Sequence, residues 1–237
     1  MGTPASVFTI ALALGPIILA PVGASARADG REEGPFEIEK CQTIDKPGSY
    51  KLVNNLVATN DCLVITADFV TIDLAGFTIK AGTLGIGKGI AAQDVMGIAV
   101  RNGSISGFSS GVDLGDDGSI VEGLRVVGGA SFFTVLGIAA KGIVKGNFVA
   151  EFGGSGSVPG IGIDATGTVA SNYVLNGGFA GIRIGQGSTV IGNTIMDAFS
   201  GLVVDCPSNL TDNTAVNNGT NLVLNGDGCN NTNNVAP

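Results

Sequence analysis

Arg183 is the cationic side chain of this sequence that is best placed for chemistry together with carboxylates. It lies in the segment "GIRI" (181–184), and Asp164 and Asp205 follow similar segments one repeat earlier and one repeat later. Alternation puts Arg183 on the outer side of a strand, and stacked segments would bring both aspartates close to it. Catalysis would be sought at this Asp–Arg–Asp arrangement. The competing interpretation is a surface ion-pair group that contributes about 0–1 kcal/mol to stability.

Three aspartates in "VDLGDDGS" (112–119) offer oxygen ligands for a cation. Asp113, Asp116 and Asp117 are carboxylates of the kind that bind Ca²⁺. The segment lacks the alternating aspartate spacing of calcium loops, so an ordinary acidic turn is the other interpretation. We expect no cofactor, with calcium as the one ion that these side chains could bind. Without His, the chain has no copper ligand set.

Two long glycine-rich segments predict a ligand groove. They are "VVGGASFFTVLG" (126–137) and "VAEFGGSGSVPG" (149–160), which occur in consecutive repeats and should project from the same side. Together they would place Phe132, Phe133 and Phe152 near Glu151. The alternative is that these phenylalanines cap the core beneath the loops, since sugar-binding surfaces favour the amphipathic Trp and Tyr. Trp is absent, and there are 2 Tyr in the chain.

Charge and composition limit the classes of partner. The chain of 237 residues has 20 acidic and 12 basic residues, with a formal net charge of −8. Nucleic-acid binding is excluded, because it needs basic groups that neutralise phosphates. An anionic polysaccharide would also be repelled unless cations intervened. Glycine is frequent at 39 residues, yet 44% of the chain is hydrophobic, which indicates repeated turns rather than disorder.

The first residues are typical of an export signal. Residues 7–22 form a mostly apolar run interrupted by Pro16 and Pro21, and the small-x-small patterns at 24–28 suit signal peptidase. We expect a signal peptide over 1–28, a short mature segment over 29–40, and a secreted or periplasmic protein with no membrane span after cleavage. A retained membrane anchor is the alternative, since no Lys or Arg precedes the apolar run.

The four cysteines fit an oxidising compartment. Cys41 and Cys62 lie near the start of the mature chain, whereas Cys206 and Cys229 lie near its end. Their even number and grouping predict two local disulfides, each closing a loop of about 20 residues and contributing roughly 3 kcal/mol. Four unpaired buried thiols are the alternative.

Self-alignment of the chain finds an asparagine that recurs at one position of a repeat. "VKGNFV" (144–149), "VASNYV" (169–174), "VIGNTI" (190–195) and "LTDNTAV" (210–216) align at Asn147, Asn172, Asn193 and Asn213. Asparagine tolerates tight turns, and amides stacked at the coil repeat can bond one another. We therefore expect a structural asparagine ladder rather than a catalytic role.

The apolar residues around these asparagines predict a solenoid. Units of about 20–26 residues with very short strands cannot form separate cores, so they must stack into continuous inward columns. The first predicted column contains Leu74, Val100, Val121, Val144, Val169, Val190 and Leu210. The second contains Ile79, Ile105, Val126, Val149, Val174 and Ile195. The third contains Ile90, Val112, Ile138, Ile161, Ile182, Leu202 and Leu222.

Variable coil length and an asparagine turn resemble the right-handed parallel β-helix of the pectate-lyase-like superfamily. The opening segment 41–79 is similar to the start of secreted repeat proteins grouped as carbohydrate-binding and sugar-hydrolase repeats. The resemblance covers roughly residues 41–237 and implies an all-β, right-handed parallel β-helix of roughly eight coils.

The resemblance implies several functions. The leading hypothesis is a non-catalytic module that binds a carbohydrate or cell-surface component, because no complete catalytic constellation accompanies the repeat framework. The first alternative is a polysaccharide lyase or related carbohydrate-active enzyme, in which Arg183 would be the base beside Asp-bound calcium. The second alternative is a purely structural or adhesive solenoid. The polygalacturonase-like and epimerase sites of such folds rely on His, which is absent here.

Overall fold

The computed structural model describes residues 34–129, 135–155 and 158–237, and every regular element in these ranges is a β-strand. The expected signal peptide, residues 1–28, lies outside the described part. No helix within the described ranges is long and apolar enough to cross a membrane.

The strands are short, as the spacing of the turn residues predicts. In chain order they are β1 (Phe36–Ile38), β2 (Gln42–Ile44), β3 (Gly48–Leu52), β4 (Leu56–Ala58), β5 (Leu63–Ile65), β6 (Val70–Asp73), β7 (Thr78–Ala81), β8 (Lys88–Ala92), β9 (Ala99–Ser106), β10 (Ser110–Val127), β11 (Leu136–Lys145), β12 (Phe148–Ala150), β13 (Gly154–Ser155), β14 (Val158–Pro159), β15 (Ile161–Ala170), β16 (Tyr173–Leu175), β17 (Ala180–Ile184), β18 (Thr189–Ile191), β19 (Thr194–Met196), β20 (Ser200–Asp205), β21 (Asn209–Thr211), β22 (Thr214–Val216), β23 (Thr220–Asn225) and β24 (Asn230–Thr232).

All pairings among these strands are parallel, apart from the small antiparallel β13–β14 pair. They form three faces, each running coil by coil along the chain. In the last coils, the strands of the first face follow in the order β15, β17, β20 and β23. Those of the second face follow in the order β15, β18, β21 and β24. Those of the third face follow in the order β12, β16, β19 and β22. The longer strands β9, β10, β11 and β15 bend from one face to the next. The expected parallel β-solenoid of about eight turns is therefore confirmed.

The predicted inward columns form the core, with two corrections of register. The second column is confirmed residue by residue from Ile79 to Ile195. In the first column Val100 pairs with Ile72, so Leu74 does not belong to it. In the third column Ile138 pairs with Ile163 rather than Ile161. The first error arises because the turn between Ile72 and Ile79 is longer than the turn between Val100 and Ile105. The second arises because "GIGI" (160–163) contains two glycines, and the second one, Gly162, is the counterpart of Gly137.

Strand pairing also begins earlier than expected. β1 pairs with β3, so residues before Cys41 already belong to the sheet. The apolar columns then run nearly the full length of the described chain. At about 2 kcal/mol for each fully buried aliphatic side chain, they are the main favourable contribution to folding.

The glycine that recurs at the start of the first-face strands allows this face to approach the third face. A Cβ on Gly162 would lie 2.6 Å from a methyl of Val174, and a Cβ on Gly181 would lie 2.2 Å from a methyl of Ile195. Both distances are too short for any side chain. The glycine content of the sequence is therefore partly a packing requirement of stacked coils.

The asparagine ladder is present and continuous. Asn147 Nδ2 donates to Asn172 Oδ1, Asn172 Nδ2 to Asn193 Oδ1, and Asn193 Nδ2 to Asn213 Oδ1, at 2.9–3.0 Å. Each Oδ1 also accepts from the backbone N–H of the preceding asparagine. These four side chains are at most 2% exposed. Asn234 extends the ladder by one rung that sequence comparison missed.

Both predicted disulfides are present. Cys41 bonds to Cys62 at the first coils, and Cys206 bonds to Cys229 at the last. They hold the two ends of the described solenoid, where a terminal coil has a neighbour on one side. The alternative of four free thiols is excluded.

Replacing Asn193 with Ala should lower the free energy of unfolding by about 3 kcal/mol, because buried amide and backbone groups on both neighbours lose their partners. Chemical denaturation measures this change. Asn234→Ala is the matched control: it removes the same amide at the half-buried end of the ladder and should cost clearly less. Equal losses at the two positions would contradict a buried, cooperative ladder.

Removing the Cys206–Cys229 bond with paired Ser substitutions should lower the free energy of unfolding by about 3 kcal/mol, because the unfolded chain gains loop freedom. Peptide mapping of the unreduced protein tests the pairing directly, because all 4 Cys of the chain belong to the two predicted bonds. Free thiols in the protein purified without reductant would be inconsistent with this assignment.

Candidate functional site

The predicted Asp–Arg–Asp arrangement is present as one close pair. Arg183 on β17 lies directly opposite Asp164 on β15. Arg183 Nε donates to Asp164 Oδ1 at 3.0 Å, and Nη2 donates to Oδ2. This bidentate geometry is the strongest form of a guanidinium–carboxylate contact. Both side chains remain partly exposed, as expected for a surface pair.

Asp205 is not a hydrogen-bond partner of Arg183. The residue opposite Arg183 on the next coil is Val203, and Asp205 follows two positions later. Its carboxylate accepts a hydrogen bond from Asn225 Nδ2 at 2.9 Å. Asp205 therefore acts on Arg183 only through its charge.

The pKa of Arg183 is raised, first by its hydrogen bond to Asp164 and then by the charges of Asp164 and Asp205, which outweigh the opposing effect of burial. A raised pKa keeps the guanidinium protonated near neutral pH. Its ion pair is fully formed below the ordinary arginine pKa and is lost only as the pH rises through the higher folded value. Near neutral pH the guanidinium is a fixed positive charge.

The predicted calcium ligands are divided between different interactions. Asp113 Oδ2 lies 2.6 Å from Lys88 Nζ, so this carboxylate is already paired with a cation. Asp117 is exposed, and the side chain of Asp116 lies outside the described part. Among the described side chains, no three His, Cys, Asp or Glu residues are close enough to hold a metal ion. Calcium binding stays a prediction.

The predicted aromatic groove is only partly visible. Phe132 and Phe133 lie outside the described residues. Phe152 is 1% exposed and belongs to the core, so its ring cannot contact a ligand on the surface. Glu151 is exposed and has left-handed backbone geometry.

Glu151 is the first member of a row of polar residues in the turn that directly follows the third-face strands. Asn176, Asp197 and Asn217 occupy the same turn in the following coils, and all four are exposed with φ between +52° and +65°. Their backbones are joined coil to coil: Glu151 N donates to the carbonyl of Leu175, and Asn176 N to that of Met196. We call Glu151, Asn176, Asp197 and Asn217 the polar row.

Two stacked pairs of aromatic rings occur on either side of the polar row along the sequence of each coil. Phe148 and Tyr173 lie before it, with ring centroids 5.7 Å apart and planes within 6° of parallel. Phe179 and Phe199 lie after it, also 5.7 Å apart, at 13°. Tyr173 is 38% exposed, and Phe179 and Phe199 are 51% and 65% exposed. We call these four rings and the polar row the aromatic surface.

Arg125 covers the other side of the first ring pair. Arg125 belongs to the preceding coil, and its guanidinium carbon lies 4.8 Å from the centroid of the Phe148 ring. This cation–π contact restricts the movement of the ring. The hydroxyl of Tyr173 donates to the sulfur of Met196 at 3.4 Å on the next coil. The rings are therefore held in place before any ligand binds.

Sequence comparison missed the aromatic surface, although a signal for it exists. Phe148 and Tyr173 each follow a ladder asparagine directly, in "GNFV" and "SNYV". Phe179 and Phe199 each stand three residues before a first-face apolar residue, in "FAGI" and "FSGL". Aromatic residues at one position in consecutive repeats must stack on the surface, and only Glu151 of this region was among the expected ligand residues.

Arg183→Ala should change the free energy of unfolding by less than about 1 kcal/mol, because the ion pair is exposed to solvent. Lys88→Ala, which breaks the equivalent pair with Asp113, is the control and should behave alike. Assays for reducing-end or unsaturated-uronate release from a glycan panel should detect no product. Product formation abolished by Arg183→Ala would overturn the interpretation of Arg183 as a surface ion-pair residue.

Comparison with known proteins gives no relative: no protein-family model, no curated protein and no solved structure matches this chain.

Proposed function

We propose that this protein is a non-catalytic carbohydrate-binding module of the pectate-lyase-like superfamily, exported from the cytoplasm, whose ligand binds at the aromatic surface. The observation that carries the proposal is the polar row between two stacked ring pairs. Rings supply flat apolar area for the C–H faces of a sugar, and the amides and carboxylates between them supply hydrogen bonds to hydroxyl groups. Exposed aromatic side chains grouped with polar residues are typical of an interaction site.

The charges of the site favour an uncharged glycan. Glu151 and Asp197 lie in the polar row, and the chain as a whole carries a net charge of −8. A polyanionic glycan would meet like charges at the site and around it. A neutral polysaccharide that lies along the solenoid axis would contact the rings and the polar row in several coils at once.

Export is supported by the two disulfides, which form and persist in oxidising compartments. The apolar segment with small-x-small patterns in the first 28 residues agrees with this. The proposed location is therefore the cell exterior or the periplasm, where polysaccharides are accessible.

A glycan array followed by calorimetry tests the proposal. The full exported chain should bind neutral polysaccharides, and Tyr173→Ala and Phe199→Ala should each weaken binding about tenfold, because each removes an exposed stacking ring. Phe69→Ala is the matched control, since Phe69 is also 65% exposed but lies outside the aromatic surface. It should leave the affinity unchanged.

The array is run with calcium and with a chelator. Binding lost on chelation would show that an ion takes part and would direct attention to Asp113, Asp116 and Asp117, which lie outside the aromatic surface. No binding in either condition, or equal loss in all three variants, would overturn the carbohydrate proposal and favour a structural or adhesive solenoid.

A further inference from the structure

β23 is the last strand of the first face and has a neighbour on one side. It pairs with β20, and no strand of the described residues lies along its other edge. The carbonyl of Asn225 accepts from Cys206 N at 2.9 Å, so Asn225 points its backbone groups toward β20. Because successive residues of a strand alternate in direction, Leu222 and Leu224 point their N–H and C=O groups toward the open edge.

Five of the six residues of this edge strand read the same in both directions. Residues 221–225 read Asn-Leu-Val-Leu-Asn, with Val223 at the centre. An antiparallel pair of two such strands places identical or equivalent side chains opposite each other throughout. The segment carries no charge, proline or lysine, which are the devices that usually protect an edge from pairing.

The side chains around this edge leave apolar surface uncovered. Leu222 packs against the core from its open end, and Leu224 is 40% exposed although its partner Val204 on β20 is fully buried. The two inward columns of the first face therefore end in partly exposed leucines. A further strand at this edge would cover them.

We propose that the open edge of β23 is a dimer interface in which a second copy of this chain pairs antiparallel, tail to tail, about a two-fold axis at Val223. Leu222 of each copy then exchanges both backbone hydrogen bonds with Leu224 of the other. Val223 lies opposite its own equivalent in a pair without hydrogen bonds, where side chains are closest. The two leucine columns join across the axis.

A second copy fits this edge better than a head-to-tail stack. Head-to-tail stacking would pair β23 with β2, the strand at the opposite end of the first face. β2 has 3 residues against 6 in β23, and its sequence Gln-Thr-Ile does not match the five-residue palindrome of β23. A two-fold contact also closes after two copies, whereas head-to-tail stacking continues into a filament. The symmetry of residues 221–225 therefore specifies both the partner and the stoichiometry.

Sedimentation velocity of the full exported chain over a wide concentration range tests the interface. The wild-type chain should sediment as a dimer that dissociates on dilution. Val223→Glu should raise the dissociation constant about tenfold or more, because two like charges then face each other across the axis. Folding should be retained, since the same outward column carries Asp164 and Arg183 in earlier coils.

Val203→Glu is the matched control, because Val203 is the neighbour of Val223 in the same column but lies on an internal strand. It should leave the dimer intact. A chain that stays monomeric at every concentration, larger assemblies, or equal weakening by both substitutions would each overturn the proposal.

Two further variants test the position of the axis. A mixture of Val223→Glu and Val223→Arg chains should recover the dimer, because opposite charges then meet at the axis. Val223→Cys should form an intermolecular disulfide on oxidation, since directly opposed antiparallel residues lie within bonding range, whereas Val203→Cys should not. Failure of both tests with a wild-type dimer present would place the contact elsewhere.

Discussion

Stacking of parallel coils, with backbone hydrogen bonds between every strand and its equivalents above and below, is the constraint on which the rest of this structure depends. Once the coils stack at the strand spacing of about 4.8 Å, each position of the repeat becomes a continuous column. Any side chain placed at that position must be compatible with a similar neighbour on both sides. Apolar columns satisfy this easily, and they form the core.

Polar groups and close backbone approaches satisfy the same constraint in more specific ways. The ladder asparagines are buried without losing hydrogen bonds, because every side-chain amide bonds to the next one. In the described residues, every buried side-chain N or O atom has a hydrogen-bond partner. The glycine column allows the first and third faces to approach where even a methyl group would collide. Stacking thus restricts which residue types can occupy interior positions, whereas residue types at outward positions can vary with function.

On the outside the same column rule builds surfaces from residues that are distant in sequence. Phe148 and Tyr173 become a stacked pair, and Glu151 and Asn176 become neighbours, only because one coil lies on another. The rule also accounts for the open end of the solenoid. At β23, whose outer edge has no strand partner among the described residues, the column pattern continues as partly exposed leucines and backbone groups that point outward.

The sequence by itself determined the parallel solenoid and the asparagine ladder, because each leaves a local signal that recurs at a fixed position of the repeat. It also determined both disulfides, because the four cysteines fall into two groups at opposite ends of the mature chain. It placed Leu74 in the wrong register because the turn after Ile72 is longer than the turn after Val100, and it misplaced Ile161 because "GIGI" offers two glycines for the alignment. Only the tertiary structure decided which outward residues meet. Stacking pairs Arg183 with Asp164 rather than Asp205, buries Phe152, and brings Tyr173 and Phe199 to the surface around the polar row. These contacts depend on which coil lies next to which, and that information is not contained in any single repeat.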